Sequence, residues 1–433
     1  LTARPRLTGT DRRILSLAFP ALGALAVEPL YVLVDTAIVG RIGTDELAGL
    51  ALAATVLSFV VAGSNFLTYG TTERVARRLG GGDRVGAAAV GVDALWLSSI
   101  VGAVAVPVLV VGAPLLSRVL GGQGEVVRFA VEYLRISAVG IPFVLVTLAA
   151  QGVLRGAADY RTPLVVLVAA NLANLLIELV FVFGFGWGVA GSAWSTVIAQ
   201  AGAAVAFLVL VRGRLRVAAS RRPDRAGLLA LATAGRHLVL RVGAMLGVFG
   251  GATAIAARVD AETLAAHQVV MSLFLFLALA LDALAVPAQT LVAERLGRND
   301  ASGAAHVAAR AVRLSVIAGI ALALGLAALA PVAPGWFTPD PEVVERATVA
   351  AWFLAGAMVP GAVAFACDGI LIGAADYRFL GRAALAMLGM LVPVGAAILL
   401  VDGAGITAIW AALAGWMVVR AAVGRHRAGR ILA

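Results

Sequence analysis

Five polar side chains lie inside apolar stretches of this sequence, at spacings that group them. Glu28 and Asp35 are seven residues apart. At about 100° per residue in a helix they fall within about 20° of each other. Asn171, Asn174 and Glu178 follow at intervals of three and four, which confines them to an arc of about 60°. One helix would thus carry a two-acid stripe, and another an amide–amide–acid stripe. Such a set suits two kinds of chemistry. Carboxylates held away from water can bind and release protons, and carboxylate, amide and hydroxyl oxygens together form a hard-cation site. Thr196 is the candidate hydroxyl. Tyr31, Asn65, Gln151 and Asp282 are secondary candidates for the same polar interior. No cofactor is expected. The ion handled would be H⁺ or Na⁺, with Asp35, Asn174, Glu178 and Thr196 as the Na⁺ donors.

The elements that must position these groups follow from composition. The 433 residues are 61% hydrophobic and 13% charged, with mean hydropathy +0.99, against about 25% charged in soluble domains. This is a membrane protein. Each half has about six apolar stretches long enough to cross a bilayer as helices, at roughly 20 residues apiece, and lipid leaves the backbone no other open-chain solution. An intramembrane charge costs from ~2.5 to well over 10 kcal/mol depending on its surroundings, so each needs a reason. Structural reasons exist for some. Glu28 could satisfy backbone groups freed by Pro29, and Asp35 could cap its helix. Asp93 and Asp368 fall near loop ends, and His267 suits a packing or interfacial role.

The chain is also a duplication. QGVLRGAADYR at Gln151–Arg161 recurs as DGILIGAADYR at Asp368–Arg378, an offset of 217. Arg78, Leu79, Gly80 and Asp83 recur at that offset as Arg295, Leu296, Gly297 and Asp300, and Arg41 and Leu47-Ala48 recur as Arg258 and Leu264-Ala265. Six spans per copy is an even number, so both copies enter the membrane in one orientation. The expected fold is all-α: twelve transmembrane helices in two parallel six-helix repeats, related by a pseudo-twofold axis along the membrane normal. The expected division is an N-lobe over 1–211, an Arg-rich cytoplasmic linker over 212–236 and a C-lobe over 237–433. The linker reads as a solvated tether.

All 34 basic residues are Arg, which removes the Walker lysine and Schiff-base chemistry. The lone Cys367 forms no intramolecular disulfide, and the four His show no metal-ligand spacing. A net charge of +10 could suggest nucleic acid, but 28 Arg fall on one side of the expected topology and 6 on the other. That is the positive-inside asymmetry. It puts both termini in the cytoplasm and the basic runs against lipid headgroups, with no nucleic-acid partner. The first apolar stretch lacks a cleavage end and is expected to stay as helix 1.

The repeats are unequal where it matters. Asn65 and Gln151 correspond to Asp282 and Asp368, so those positions are polar in both copies. Glu28, Asp35, Asn171, Asn174 and Glu178 correspond to Met245, Ala252, Leu388, Leu391 and Gly395. A purely architectural cluster should be needed twice. This one exists once, which marks the N-terminal copy as the place where ions or protons are handled. Pro20 and Pro29 interrupt helix 1 and permit it to bend, which would move Asp35.

The run EPLYVLVDTAIVGRIGTDELAGLALA (Glu28–Ala53), the two GAADYR segments, GVAGSAWST (Gly188–Thr196) and LDALAVPAQTLVAERLG (Leu281–Gly297) resemble the MATE (multidrug and toxic compound extrusion) transporters, in particular their DinF-like branch. The likeness spans nearly all twelve helices. It implies N- and C-lobes and antiport of organic substrates against H⁺ or Na⁺. It also implies Asp35 as the coupling acid, Pro20 as the helix 1 bend, Asn174 and Glu178 as the helix 5 pair (with Glu where relatives often have Asp), and Thr196 as the cation-associated hydroxyl. The C-lobe acids of the NorM-like branch have no counterpart in helices 7 and 11, which favours N-lobe coupling and H⁺ over Na⁺. The expectation is a non-enzymatic, H⁺-coupled exporter of amphipathic, often cationic, organic compounds in a prokaryotic plasma (inner) membrane, acting as a monomer among lipids. A lipid-linked oligosaccharide flippase of the same superfamily and an ion channel are the alternatives.

Overall fold

In the computed structural model, which describes residues 8–401 and 405–432, twelve helices are long and apolar enough to cross a membrane. The chain runs α1 (Gly9–Val39), α2 (Thr44–Ser64), α3 (Phe66–Gly80), α4 (Arg84–Val119), α5 (Gly124–Gly156), α6 (Arg161–Leu179) and α7 (Gly188–Leu215). It continues with α8 (Arg225–Val259), α9 (Ala261–Gly297), α10 (Ala301–Leu329), α11 (Pro341–Gly373), α12 (Tyr377–Leu400) and α13 (Gly405–Leu432). The expected second span is α2 plus α3, broken at Asn65. A π-turn at Val180–Gly184 ends the α6 span, and a short 3₁₀ turn at Ala333–Trp336 precedes α11. Val104, Val108, Val111 and Leu115 line one side of α4 and are 61–79% exposed. Water would penalise such a stripe, whereas lipid accepts it.

Two compact units divide the chain: Gly23–Gly235, and Leu1–Leu22 with Arg236–Ala433. Specific contacts account for both unexpected joins. Asp11 on α1 accepts from Arg310 of α10 through Nε (2.7 Å) and Nη2, and Arg13 pairs with Glu294 of α9 at 2.8 Å. The start of α1 therefore belongs with the second unit. Conversely, the start of α8 stays with the first unit, where Leu231 is buried in its core. The linker is also shorter than the 212–236 expected from composition. Helix continues to Leu215 and resumes at Arg225, and what lies between is fastened. The Trp96 indole N–H donates to the Arg221 carbonyl (3.0 Å), and the Asp224 N–H donates to Asp93 Oδ1 (2.8 Å).

The duplication is visible in local geometry. Ala158 and Ala375, one offset apart, are left-handed at φ 57° and 61°, as are Gly82 and Asn299 at 79° and 57°. Arg78–Asp83 (2.9 Å) repeats as Arg295–Asp300 (2.8 Å), and each aspartate caps the following helix by accepting from Gly86 or Gly303. α5 and α11 carry the most deeply buried side chains of their units, among them Leu134, Leu145, Leu154, Met358 and Leu371. Glycine sets their approach to the neighbouring helix. A Cβ at Gly152 would lie 2.7 Å from Thr71 of α3, and one at Gly369 would strike the Ala285 carbonyl oxygen of α9. Such close backbone approach is how helices gain packing energy in lipid, where apolar burial supplies no drive.

Candidate functional site

The last turns of α1 are covered by other helices only along Tyr31, Asp35, Ile38 and Val39, the face that repeats at intervals of four, three and one. Asp35 is 5% exposed there, and Glu178 and Asn174 of α6 are 0% and 1% exposed. α7 supplies the partner. Ser192 Oγ donates to Asp35 Oδ1 at 2.6 Å and also lies against Glu178, whose carboxyl neighbours that of Asp35. Thr196 Oγ1, one turn on, donates to the Ser192 carbonyl at 3.0 Å, and the Tyr31 hydroxyl meets it at 2.7 Å. A hydroxyl has one proton to give, so Tyr31 is the donor in that second contact. Tyr133 of α5 closes the group against Ser192 and Thr196. Beyond Glu178 the π-turn forms, with the Phe185 N–H bonded to the Val180 carbonyl at 2.9 Å, and Phe181, Phe185 and Trp187 stack around it. π-turns recur at functional positions in helices.

Charge is unbalanced in this site. Among the described residues no Arg or His pairs with Asp35 or Glu178. Two like charges about 4 Å apart at an effective dielectric near 20 repel by about 4 kcal/mol, before desolvation is counted. Among the described residues, both Glu178 oxygens and both ends of the Asn174 amide also lack hydrogen-bond partners, and each unmade buried bond costs about 1–3 kcal/mol. A proton on one carboxyl would remove the repulsion and supply the missing donor. A small cation would also neutralise the pair, and carboxylate, amide and hydroxyl oxygens suit a hard ion.

Of the residues singled out from sequence, Asp35, Asn174, Glu178, Thr196 and Tyr31 come together here. Asn171 is half-buried one turn before Asn174, with no hydrogen bond to the carboxylates among the described residues. Glu28, which the helical wheel puts on the Asp35 stripe, is exposed in its own turn of α1, whereas Asp35 is buried. Gln151 is buried but accepts from Arg155 at 2.9 Å on its own helix. Asn65 marks the α2–α3 break, and Asp282 lies in the other unit. α1 runs unbroken through Pro20 and Pro29, with Pro20 two residues before the Leu22/Gly23 unit boundary.

Ser192 and Tyr133 are the site residues that sequence reasoning passed over. The repeat offset could have found them. Tyr31, Asp35, Tyr133, Ser192 and Thr196 correspond to Val248, Ala252, Ala350, Ile409 and Leu413, all buried in the hydrophobic core of the second unit. One location is thus polar in the first unit and apolar in the second.

Comparison with known proteins follows the duplication. A family model described as MatE matches residues 20–180 and again 247–397. The chain is similar to Protein DETOXIFICATION 44, chloroplastic, of Arabidopsis thaliana, at 31% identity over 98% of this chain and 83% of that protein. It is similar to DNA damage-inducible protein F of Escherichia coli K12, at 29% identity over 72% and 70%. Among solved structures, the outward-facing conformation of a multidrug resistance MATE family transporter of the MOP superfamily superposes with TM-score 0.89, at 21% identity, over 98% of this chain and 96% of that one.

Proposed function

The chain belongs to the MatE family of membrane transporters, and from that premise we propose that it is an H⁺-driven antiporter exporting amphipathic, often cationic, organic compounds. It is not an enzyme. The observation that carries the reading is the buried Asp35–Glu178 pair, present in one repeat only and, among the described residues, without a basic partner. A proton entering the pair cancels the like-charge repulsion and lets one carboxyl donate to the other or to Asn174. Loss of the proton restores the repulsion, against which the Ser192 hydroxyl holds Asp35. The two states therefore favour different separations of α1 from α6. Because α1 starts in one unit and ends in the other, with Pro20 beside the crossing, a change at Asp35 has a covalent route to both units. Alternating access would follow when a gradient, worth about 2.3 kcal/mol per charge per 100 mV, loads the pair on one side only.

Similarity to the protein named DNA damage-inducible protein F supports placement in the DinF-like branch, and the Arg asymmetry supports both termini being cytoplasmic; a prokaryotic plasma membrane completes this reading. The plant relative is named chloroplastic, which concerns that protein. A second reading, Na⁺ coupling, is favoured by the oxygen-only donor set of Asp35, Asn174, Glu178 and Thr196. Efflux of a cationic dye from proteoliposomes under a pH gradient alone, then a Na⁺ gradient alone, separates the two. Transport under the pH gradient is expected. Transport under Na⁺ alone favours the second reading, and transport under neither removes antiport.

A further inference from the structure

The loop joining α7 to α8 is fastened to α4 at both ends, by Trp96 to the Arg221 carbonyl (3.0 Å) and by Asp93 to the Asp224 N–H (2.8 Å). That fastening brings Arg221 to a cavity of about 250 Å³ beside Arg212 of α7 and Arg216, the residue that caps its C-terminus. Arg212 and Arg216 are four residues apart, and Arg216 keeps helical backbone geometry, so the two share a face. Below them the walls are apolar: Leu208 and Leu215 on one side, with Val92, Leu95 and the Trp96 ring on the other. Three guanidiniums therefore crown a groove with a greasy floor, within a single unit.

Among the described residues no carboxylate is ion-paired with them. Asp93 is taken by the Asp224 N–H, Asp224 caps α8 by accepting from Gly227 (3.1 Å), and Asp159 is bridged by Arg214 (3.0 Å). Among the described residues Arg212, Arg216 and Arg221 form no ion pair. The second repeat has no such site, since Trp96, Leu208 and Arg212 correspond to Arg313, Arg425 and Gly429. Burying apolar walls beneath a cluster of cations, with a tryptophan at the rim, matches one occupant: an amphiphile with an anionic phosphate head and acyl chains. We propose that this cavity is a specific site for one anionic glycerophospholipid of the surrounding bilayer. The headgroup phosphate would lie among the three guanidiniums, and an acyl chain would run down the α4–α7 groove. Bound there, the lipid would brace the loop that connects the two repeats.

The test is native mass spectrometry of the full-length protein titrated with phosphatidylglycerol, phosphatidylcholine or inorganic phosphate. The wild type is compared with the R212Q/R216Q/R221Q variant and with R84Q/R222Q/R225Q, which removes the same charge outside the cavity. At about one kcal/mol per arginine, the cavity variant should bind phosphatidylglycerol roughly 100-fold more weakly, with the control variant close to wild type. All three proteins should melt alike in phosphatidylcholine. Equal weakening in both variants means general surface charge, and overturns the proposal. So do equal retention of phosphatidylcholine and phosphatidylglycerol, or displacement of the lipid by millimolar phosphate.

Discussion

Ser192→Ala removes one hydroxyl and changes little volume, so its effect can be worked from the site itself. The hydroxyl donates to Asp35 Oδ1 at 2.6 Å. A hydrogen bond to a charged acceptor contributes about 1.5–3 kcal/mol and one to a neutral acceptor about 0.5–1.5. The difference, about 1–1.5 kcal/mol, is what Ser192 adds to the ionised over the protonated pair. Its removal should therefore let the pair hold a proton five- to tenfold more tightly, at about 1.4 kcal/mol per factor of ten. Measured in proteoliposomes as efflux against proton activity on the loading side, the half-maximal point should move by that factor toward lower proton activity. Maximal rate should fall, because release becomes the slower step. Ser195→Ala is the control, since Ser195 Oγ donates to the Ser192 carbonyl at 2.7 Å and not to a carboxylate. A Ser192→Ala profile within about twofold of that control would refute the reasoning. A shift in the opposite sense, tracking Na⁺ rather than H⁺, would identify Ser192 as a cation ligand.

Gly369→Ala should destabilise by about 1–3 kcal/mol through overpacking, because its Cβ meets the Ala285 carbonyl of the facing helix. Gly356→Ala, on the same α11 but with nothing within 4 Å, should leave the melting temperature unchanged or slightly raised. Asp260, between α8 and α9, is held down to about 2 chiefly by its hydrogen bond to Arg346, which outweighs the desolvation cost, with the Thr263 N–H adding a smaller lowering. A carboxyl with a depressed folded value adds stability that is present above the usual carboxylate range and is lost as pH falls through the folded value. Wild type and Arg346→Met should therefore differ in melting temperature near about pH 6 and converge toward about pH 2. A constant gap across that range would show that the arginine acts by packing alone.

The twelve spans and the duplication were legible because lipid demands long apolar helices and a repeat offset is arithmetic. The burial of Asp35, Asn174 and Glu178 was legible because a polar side chain in an apolar run needs a reason. Helical periodicity assigned Glu28 and Asp35 to one face but could not say that only Asp35 would be buried there. Ser192 and Tyr133 went unnoticed because serine and tyrosine are common in membrane helices and cost little when bonded to backbone. Only their apolar counterparts Ile409 and Ala350 distinguish them. The crossing of α1 and α8 between units depends on pairs such as Asp11 and Arg310, 299 positions apart, which no local pattern reports. Arg241 and Arg420 were counted with the cytoplasmic arginines. They lie within α8 and α13 and both pair with Asp368.

Gradient-driven efflux by Asp35→Asn and Glu178→Gln, each beside wild type in proteoliposomes under an imposed pH difference, goes to the heart of the coupling. Each substitution fixes one member of the pair in an uncharged form of nearly equal size. Both variants should still bind the dye and should lose transport against its concentration gradient. Accumulation at the wild-type rate by both would mean that the ion is carried elsewhere in the protein.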